Sequence, residues 1–271
     1  MISLPHFAFT GQPAYDTTLT LAFAYVAVVS LAAWFIPSPY GRFASQKFGL
    51  SLDPRLGWFL MELPATLSFL YFFAQGSRRG DPVPLLLLAM WLIHYGNRGF
   101  LFPLLMRVPR GASASFSLMV VAFGWLATSL HGYLHARFFS GEGLGAHYTI
   151  DWLRDPRFLV GVTLYYAALI GNIHSDAILR RLRTKEEIAS GARVYRMPQG
   201  GLFRFVTNPS YFTELVAWAG WALATWSLAG VYIFLLSAAN LIPRAVSTHR
   251  WYRERFPEYP KERRVLIPFV Y

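Results

Sequence analysis

The sequence has no cysteine, only three lysines (Lys47, Lys185, Lys261) and 14 acidic residues in a length of 271. Without cysteine there is no disulfide framework, no Cys-ligated metal, no thiol nucleophile and no thiol redox switch. Charge is scarce as well. Asp, Glu, Lys and Arg together make up 14% of the chain, against about 25% in a soluble globular domain. What takes their place is apolar: 55% of residues are hydrophobic and 17% aromatic. That surplus excludes a disordered or collagen-like chain and exceeds what a water-facing surface can hide, so lipid is the expected solvent.

The net charge is +11, from 25 basic against 14 acidic residues. On a soluble face such a balance would point to nucleic acid. Here the basic residues lie between apolar runs, where they set topology, and no nucleic-acid partner is expected. The predominance of Arg over Lys suggests a GC-rich, bacterial genome, and therefore the inner membrane (the endoplasmic reticulum for a eukaryotic chain). Met1–Asp16 lacks a basic start and the first apolar run is long enough to span, so no cleavable signal peptide is expected.

About 20 apolar residues cross a bilayer. The hydropathy predicts an all-α membrane protein of one domain, a bundle of seven spans over 17–36, 57–75, 83–106, 114–137, 157–179, 210–227 and 229–248. Pro37-Ser-Pro39, Gly76-Ser-Arg-Arg-Gly-Asp-Pro82 and Pro109-Arg-Gly111 supply breaks, and a minimal turn near Ala229-Gly230 joins the last two spans as a hairpin. With the N-terminus outside, nineteen basic residues fall in inner segments and five (Arg78, Arg79, Arg137, Arg154, Arg157) in outer ones, as the positive-inside rule requires. The C-terminus is then cytosolic. Two basic segments, 180–209 and 249–271, are expected to fold together as a cap of short helices and loops over the inner mouth.

Ionisable groups inside spans are costly and default to function. Glu62 lies in Met61-Glu-Leu-Pro64 of the second span; Tyr95 and Arg98 lie in His94-Tyr-Gly-Asn-Arg98 of the third. Glu62 and Arg98 could form a structural ion pair. Alternatively, Glu62 lines a cavity as a neutral carboxylic acid, able to donate a hydrogen bond to a ligand carbonyl. In the fifth span Asn172, Asp176 and Arg183 fall at i, i+4 and i+11, within roughly 40° on one helix face. An amide, a carboxylate and a guanidinium in a row suit a nucleotide: hydroxyls and base edges for the first two, phosphate for the arginine.

Arg196-Met-Pro-Gln-Gly-Gly-Leu-Phe203 follows, its Gly-Gly pair permitting close approach and positive φ. Asn208-Pro209-Ser210 reads as a helix start, and Glu214 and Trp218 share a helix face. In the tail, Arg244, Thr248 and Tyr252 recur at four-residue intervals ahead of Arg255, Arg263 and Arg264. Arg250 and Arg253 suit anionic lipid headgroups. No dinucleotide-fold glycine motif, P-loop, HExxH or GxSxG string occurs. Of seven histidines, His131 and His135 alone make a helical i, i+4 pair; no carboxylate accompanies them, and no metal site is expected.

Taken in order, Asn172-Ile-His-Ser-Asp176, Pro198-Gln-Gly-Gly-Leu-Phe203, Glu214 with Trp218, Ala222-Leu-Ala-Thr-Trp-Ser-Leu228 and Tyr259-Pro…Leu266-Ile-Pro-Phe269 resemble the steroid 5-alpha-reductase family. Glu62-Leu-Pro64 and His94-Tyr95 extend the likeness more thinly. The resemblance implies a seven-helix enzyme, here taken as a monomer, that uses NADPH to reduce the 4,5 double bond of a 3-oxo-4-ene steroid. It implies hydride delivery to the carbon beta to the carbonyl, an enolate stabilised by Glu62 and Tyr95, and a proton to the alpha carbon from water or Tyr95. Glu62 and Tyr95 would hold the 3-oxo group. Asn172, Asp176, Arg183, Tyr195, Ser210, Glu214, Tyr252 and Arg263 match positions around the cofactor, with Arg98 and Arg244 beside them. Met61 stands where the family often has Gln, and Ser210 where it often has Asn.

Gly201–Glu214 also looks like isoprenylcysteine carboxyl methyltransferases, which use S-adenosylmethionine. Their Arg-His-Pro and paired tail Glu-Glu are absent: here stand Thr207-Asn-Pro209 and Glu254 without an acidic neighbour. A reductase of another lipid enone, a polyprenol or an enoyl thioester, is a further alternative. A transporter with Glu62 and Arg98 as a relay would be expected to show internal repeats, and the hydropathy has none.

Overall fold

The computed structural model describes residues 10–36, 39–44, 47, 49–109, 115–191 and 194–271. Residues 1–9 with His6, the Pro37-Ser38 part of the first break, Arg110 and Gly111, the start of the fourth run at 114, Arg193 and the side chain of Arg42 lie outside the described residues.

Proline opens five of the helices, where its missing N–H costs nothing and its φ is already helical. These are α1 (Pro13–Phe35), α2 (Pro54–Ala74), α3 (Pro82–Tyr95), α6 (Pro156–Arg181) and α8 (Pro209–Thr225). Side-chain caps help at Asp53, Asp155 and Ser117, which accept from the backbone N–H groups of Arg55, Arg157 and Met119. Beyond α3 the chain makes one turn of π-helix, Gly96–Leu101, and a short α4, Phe102–Leu105. Pro103 explains the widened turn, because it cannot donate to the carbonyl of Gly99 in α-helical register and its ring would strike it. α5 (Leu118–Ser140), α7 (Lys185–Ser190) and α9 (Leu228–Arg255) complete the helices. A two-stranded antiparallel ribbon, β1 (Ser51–Leu52) with β2 (Phe116–Ser117), pairs Ser51 with Ser117 and Leu52 with Phe116.

Among the described residues, five stretches are long and apolar enough to cross a membrane: Pro13–Phe35, Pro54–Ala74, Pro82–Leu105, Pro156–Arg181 and Leu228–Arg255. α5 and α8 occupy the places of the expected fourth and sixth spans. α5 carries Thr128, Ser129, His131, His135 and Arg137, and α8 has 17 residues, so neither matches the other five in length and apolarity. Three boundaries differ from the sequence reading. The α8–α9 turn falls at Trp226–Ser227, not at Ala229-Gly230, because Trp226 takes left-handed φ (44°) and Ser227 Oγ accepts from Gly230 N. α9 runs to Arg255, so 249–255 continue the last long helix and do not start a separate short one. α6 stops at Arg181, because Thr184 and Glu187 form a reciprocal capping box that starts α7.

Helices pair as α6 with α8, α2 with α5, α8 with α9 and α1 with α9. Where burial against lipid gives no hydrophobic advantage, small residues at the interface let backbones close up. A Cβ on Gly161 would lie 2.4 Å from Ala224 N, and one on Gly220 2.7 Å from Gly161 O, so α6 and α8 meet backbone to backbone. Gly132 brings α5 equally close to α2, where a Cβ would sit 1.8 Å from Ser68 Oγ. Pro64 inside α2 leaves the Leu60 carbonyl without its helical donor; Trp125 Nε1 of α5 supplies one at 2.6 Å, and Thr128 Oγ1 donates to Met61 O at 3.1 Å.

The two ends of the bundle differ. One carries the loop 141–155. Tyr148 Oη (2.6 Å) and His147 (3.2 Å) reach Thr225 O, and Trp152 Nε1 donates to Ala224 O at 3.0 Å. They satisfy carbonyls that the end of α8 leaves open. Arg78 reaches the carbonyls of Leu144, Gly145 and Tyr148 from its two terminal nitrogens and binds Asp81 through Nε. Arg157 is clamped between the rings of Trp152 and Trp226, each 4.7 Å from Cζ. The other end carries the basic segments. There the two expected cap segments pair: Arg264 N donates to Phe205 O and Thr207 N to Arg264 O, both at 2.8 Å.

Candidate active site

In the half of the bundle nearer the basic segments, α3, α6 and α8 bring their polar residues together. Asn172 and Asp176 lie one turn apart on α6, both buried. Asn172 Nδ2 donates to Ser210 O (2.8 Å) and to Glu214 Oε2 (3.1 Å) on α8. Ser210 Oγ donates to Asp176 Oδ1 at 2.7 Å, and Arg98 Nη1 to Asp176 Oδ2 at 3.4 Å. Glu214 Oε1 accepts from Trp218 Nε1 at 2.8 Å and lies 3.5 Å from His94 Nε2. Five residues expected near the cofactor (Arg98, Asn172, Asp176, Ser210, Glu214) thus form one continuous network, to which His94 and Trp218 belong as well.

Arg98 sits in the π turn. Its guanidinium lies 4.6 Å from the ring centroids of both Trp58 and Phe102. Aromatic faces favour a cation there. Its partner is Asp176, not Glu62, which overturns the Glu62–Arg98 ion pair as a structural tie. Glu62 is half-buried and makes no hydrogen bond or ion pair with a described residue. It stands against the same π turn: a Cβ on Gly99 would meet Glu62 Cβ at 3.2 Å. Tyr95, at the junction of α3 and the π turn, is buried between Trp91, His94 and Trp218. Its hydroxyl lies 3.3 Å from His131 Nδ1 on α5.

The remaining expected residues form a second tier. Arg183 is beyond the end of α6, so the helical-face argument that grouped it with Asn172 and Asp176 fails for it. Its Nε donates to Val194 O at 3.2 Å and its Cζ lies 5.8 Å from the Tyr195 ring. Tyr195 packs edge-on to Trp251. Tyr252 is buried and stacks between Phe256 and Tyr259. Arg263, also buried, donates from Nη1 to Pro198 O at 3.2 Å. Arg244 donates to Tyr211 Oη (2.9 Å) and to Tyr40 O (3.2 Å), its Cζ 3.8 Å from the Tyr40 ring centroid. Gly200 and Gly201 both take positive φ (82° and 49°), and a Cβ on Gly201 would meet the His174 ring at 2.7 Å. Glu187, in the capping box, is held near a pKa of about 2 by its hydrogen bond from Arg196 and by the backbone N–H of Thr184.

Three buried polar atoms at this end have no partner among the described residues: Asn172 Oδ1, His94 Nδ1 and Arg263 Nε. Orphaned buried groups in such a network call for a ligand. The acceptor is on an amide beside a carboxylate, and the donor on a cation: the donor set suits a molecule that bears both hydroxyl or amide groups and phosphate. Among the described residues no group of three or more His, Asp or Glu could hold a metal.

A bundle of membrane-length helices around such a buried polar network fits a membrane enzyme. The comparisons define it further. The family 3-oxo-5-alpha-steroid 4-dehydrogenase matches residues 114–271. The chain is 41% identical over 249 residues to 3-oxo-5-alpha-steroid 4-dehydrogenase 1 of Rattus norvegicus, covering 91% of each. It is 39% identical over 236 residues to the Homo sapiens protein of that name (86% of each). It is 37% identical over 261 residues to steroid 5-alpha-reductase DET2 of Arabidopsis thaliana (93% of this chain, 95% of the relative). The chain belongs to the steroid 5-alpha-reductase family, not to the methyltransferases that 201–214 also resembles.

Sequence reasoning missed three features. His131 as the partner of Tyr95 was visible only as half of a helical histidine pair. The π turn had a signal in Gly96, Gly99 and Pro103. The link of Arg244 to Tyr40 joins residues far apart in the chain and had no local signal.

Proposed function

We propose that this enzyme reduces the 4,5 double bond of a 3-oxo-4-ene steroid with NADPH, Glu62 and Tyr95 holding the 3-oxo group. The names of its relatives support the reaction. The observation that carries the site is Glu62: a carboxyl group inside the bundle, without a partner among the described residues, set against the turn that follows Tyr95 and bears Arg98. An unpartnered ionisable group at that depth is expensive unless a ligand completes it.

NADPH, when bound, supplies the hydride that saturates the double bond. Asn172, Asp176, Ser210 and Glu214 would hold its uncharged polar groups, and Arg98, Arg183, Arg244 and Arg263 its phosphates, with Tyr195 and Tyr252 lining the same side. As charge develops on the 3-oxo oxygen, neutral Glu62 and the Tyr95 hydroxyl donate to it. Each such donor in a dry site lowers the barrier by about 2 to 4 kcal/mol. The rings of Trp91 and Trp218 pack on Tyr95, with Trp221 behind Trp91, and keep water from it. We read the chain as a monomer with seven spans and a cytosolic basic end, in the bacterial inner membrane. Steroid then enters from lipid and the dinucleotide from the basic side.

The test is NADPH oxidation by the detergent-purified protein with and without testosterone or progesterone. Steroid-dependent oxidation with a 5-alpha-reduced product is the expected result. NADPH binding without steroid turnover would redirect the substrate to another lipid enone. S-adenosylmethionine binding in place of NADPH would overturn the reading.

A further inference from the structure

Tyr95 can serve as a donor only if its phenolic hydrogen is free, and its hydroxyl is already engaged. It lies 3.3 Å from Nδ1 of His131, which bridges α3 to α5. His131 is 7% exposed and its other nitrogen, Nε2, has no partner among the described residues. The 3.3 Å contact is compatible with two arrangements. In the first, Tyr95 donates to a bare Nδ1. The phenol hydrogen is then consumed, the substrate carbonyl faces only lone pairs, and a buried Nε2–H points at nothing. In the second, Nδ1–H donates to the phenolic oxygen, the phenol hydrogen is free, and Nε2 is a bare acceptor. A buried N–H without an acceptor is the rarer and costlier condition.

We propose that His131 is the positioning residue for Tyr95: as the Nδ1–H tautomer it donates to the phenolic oxygen and turns the phenol hydrogen towards the substrate carbonyl. This rests on the reading of Tyr95 as a substrate donor. The surroundings hold the ring in place. It meets Tyr232 of α9 edge-on at 5.2 Å, and the His131 carbonyl accepts from His135 Nδ1 at 2.8 Å. The neighbouring histidine is therefore an Nδ1–H tautomer as well, one turn along the same helix.

The role acts through one oxygen atom, so it must vanish with that atom. In the full-length protein, His131→Leu is expected to lower kcat at least ~10-fold, as loss of one aligned donor does, while the KM for NADPH stays within twofold. His131→Asn, whose amide N–H stands where Nδ1–H stood, is expected to stay within about threefold of wild type. On a Tyr95→Phe background, His131→Leu is expected to cause no further loss. The same fold-loss in both backgrounds, or full kcat in His131→Leu, would overturn the proposal. A second measurement needs neither turnover nor the leucine variant: ring-15N histidine spectra, in which the signal lost in His131→Asn is that of His131. A neutral ring protonated at Nδ1 is expected; one protonated at Nε2 contradicts the proposal. Absence of wild-type turnover on steroid would count against the substrate reading, while the tautomer signal still decides the hydrogen bond.

Discussion

At the end of the bundle that carries loop 141–155, the indole of Trp152, the phenol of Tyr148 and the fork of Arg78 all end on backbone carbonyls. At the basic end the corresponding groups are incompletely matched. Asn172 Oδ1, His94 Nδ1 and Arg263 Nε are orphaned, and Glu62 has no partner among the described residues. Both ends are rich in arginine and aromatic rings, so composition does not separate them. The kind of orphan does: at the loop end the Tyr15 hydroxyl is left over among rings, whereas at the basic end an amide, an imidazole and a guanidinium are left over together, a set that suits something that binds.

Substitutions can sharpen or break that contrast. The largest effect is expected at Glu214, which accepts from Asn172 and Trp218 and faces His94. Glu214→Leu strands these buried donors, and an unmet partner of a buried charge costs about 3–5 kcal/mol; a thermal melt and turnover should both register the loss. Glu62→Gln comes next. With no partner among the described residues to lose, its melting temperature should stay at the wild-type value while kcat falls ~100-fold; full turnover on a steroid enone would remove Glu62 from the site. At the closed end, Arg78→Ala should do the opposite, costing about 2–3 kcal/mol of stability through lost charged hydrogen bonds with turnover per folded molecule unchanged. Smallest is the exposed Glu187–Arg196 pair. Glu187 is depressed from its ordinary 4.5 to about 2, so its contribution is present above pH 4.5 and fades as pH falls towards 2. The Tm difference between wild type and Glu187→Gln should narrow over that window and stay flat above it.

How much of this was legible beforehand depends on whether a signal is local. Asn172 with Asp176, and Glu214 with Trp218, are one helical turn apart, and their shared faces were readable from spacing alone. The same spacing puts Arg183 on that face only if the helix continues, and the Thr184–Glu187 box ends it at Arg181. The membrane character followed from scarcity of charge; the number of spans did not, since the polar residues of α5 are excused by partners on other helices. Trp125 reaches the Leu60 carbonyl that Pro64 frees, Thr128 the neighbouring Met61 carbonyl, and His131 reaches Tyr95. Such pairings exist only after α2, α3 and α5 have packed.

The contrast between the two ends is tested most directly by the stabilisation that NADPH gives to purified wild type, Asn172→Ala and Arg78→Ala. A ligand at a hundred times its Kd adds about 2.7 kcal/mol to the folded state. Wild type and Arg78→Ala should both melt higher with NADPH, by the same increment, and Asn172→Ala should respond by clearly less at that concentration, short by about 1 kcal/mol for one lost hydrogen bond. An undiminished NADPH shift in Asn172→Ala would place the dinucleotide elsewhere and leave the open network without the ligand assigned to it.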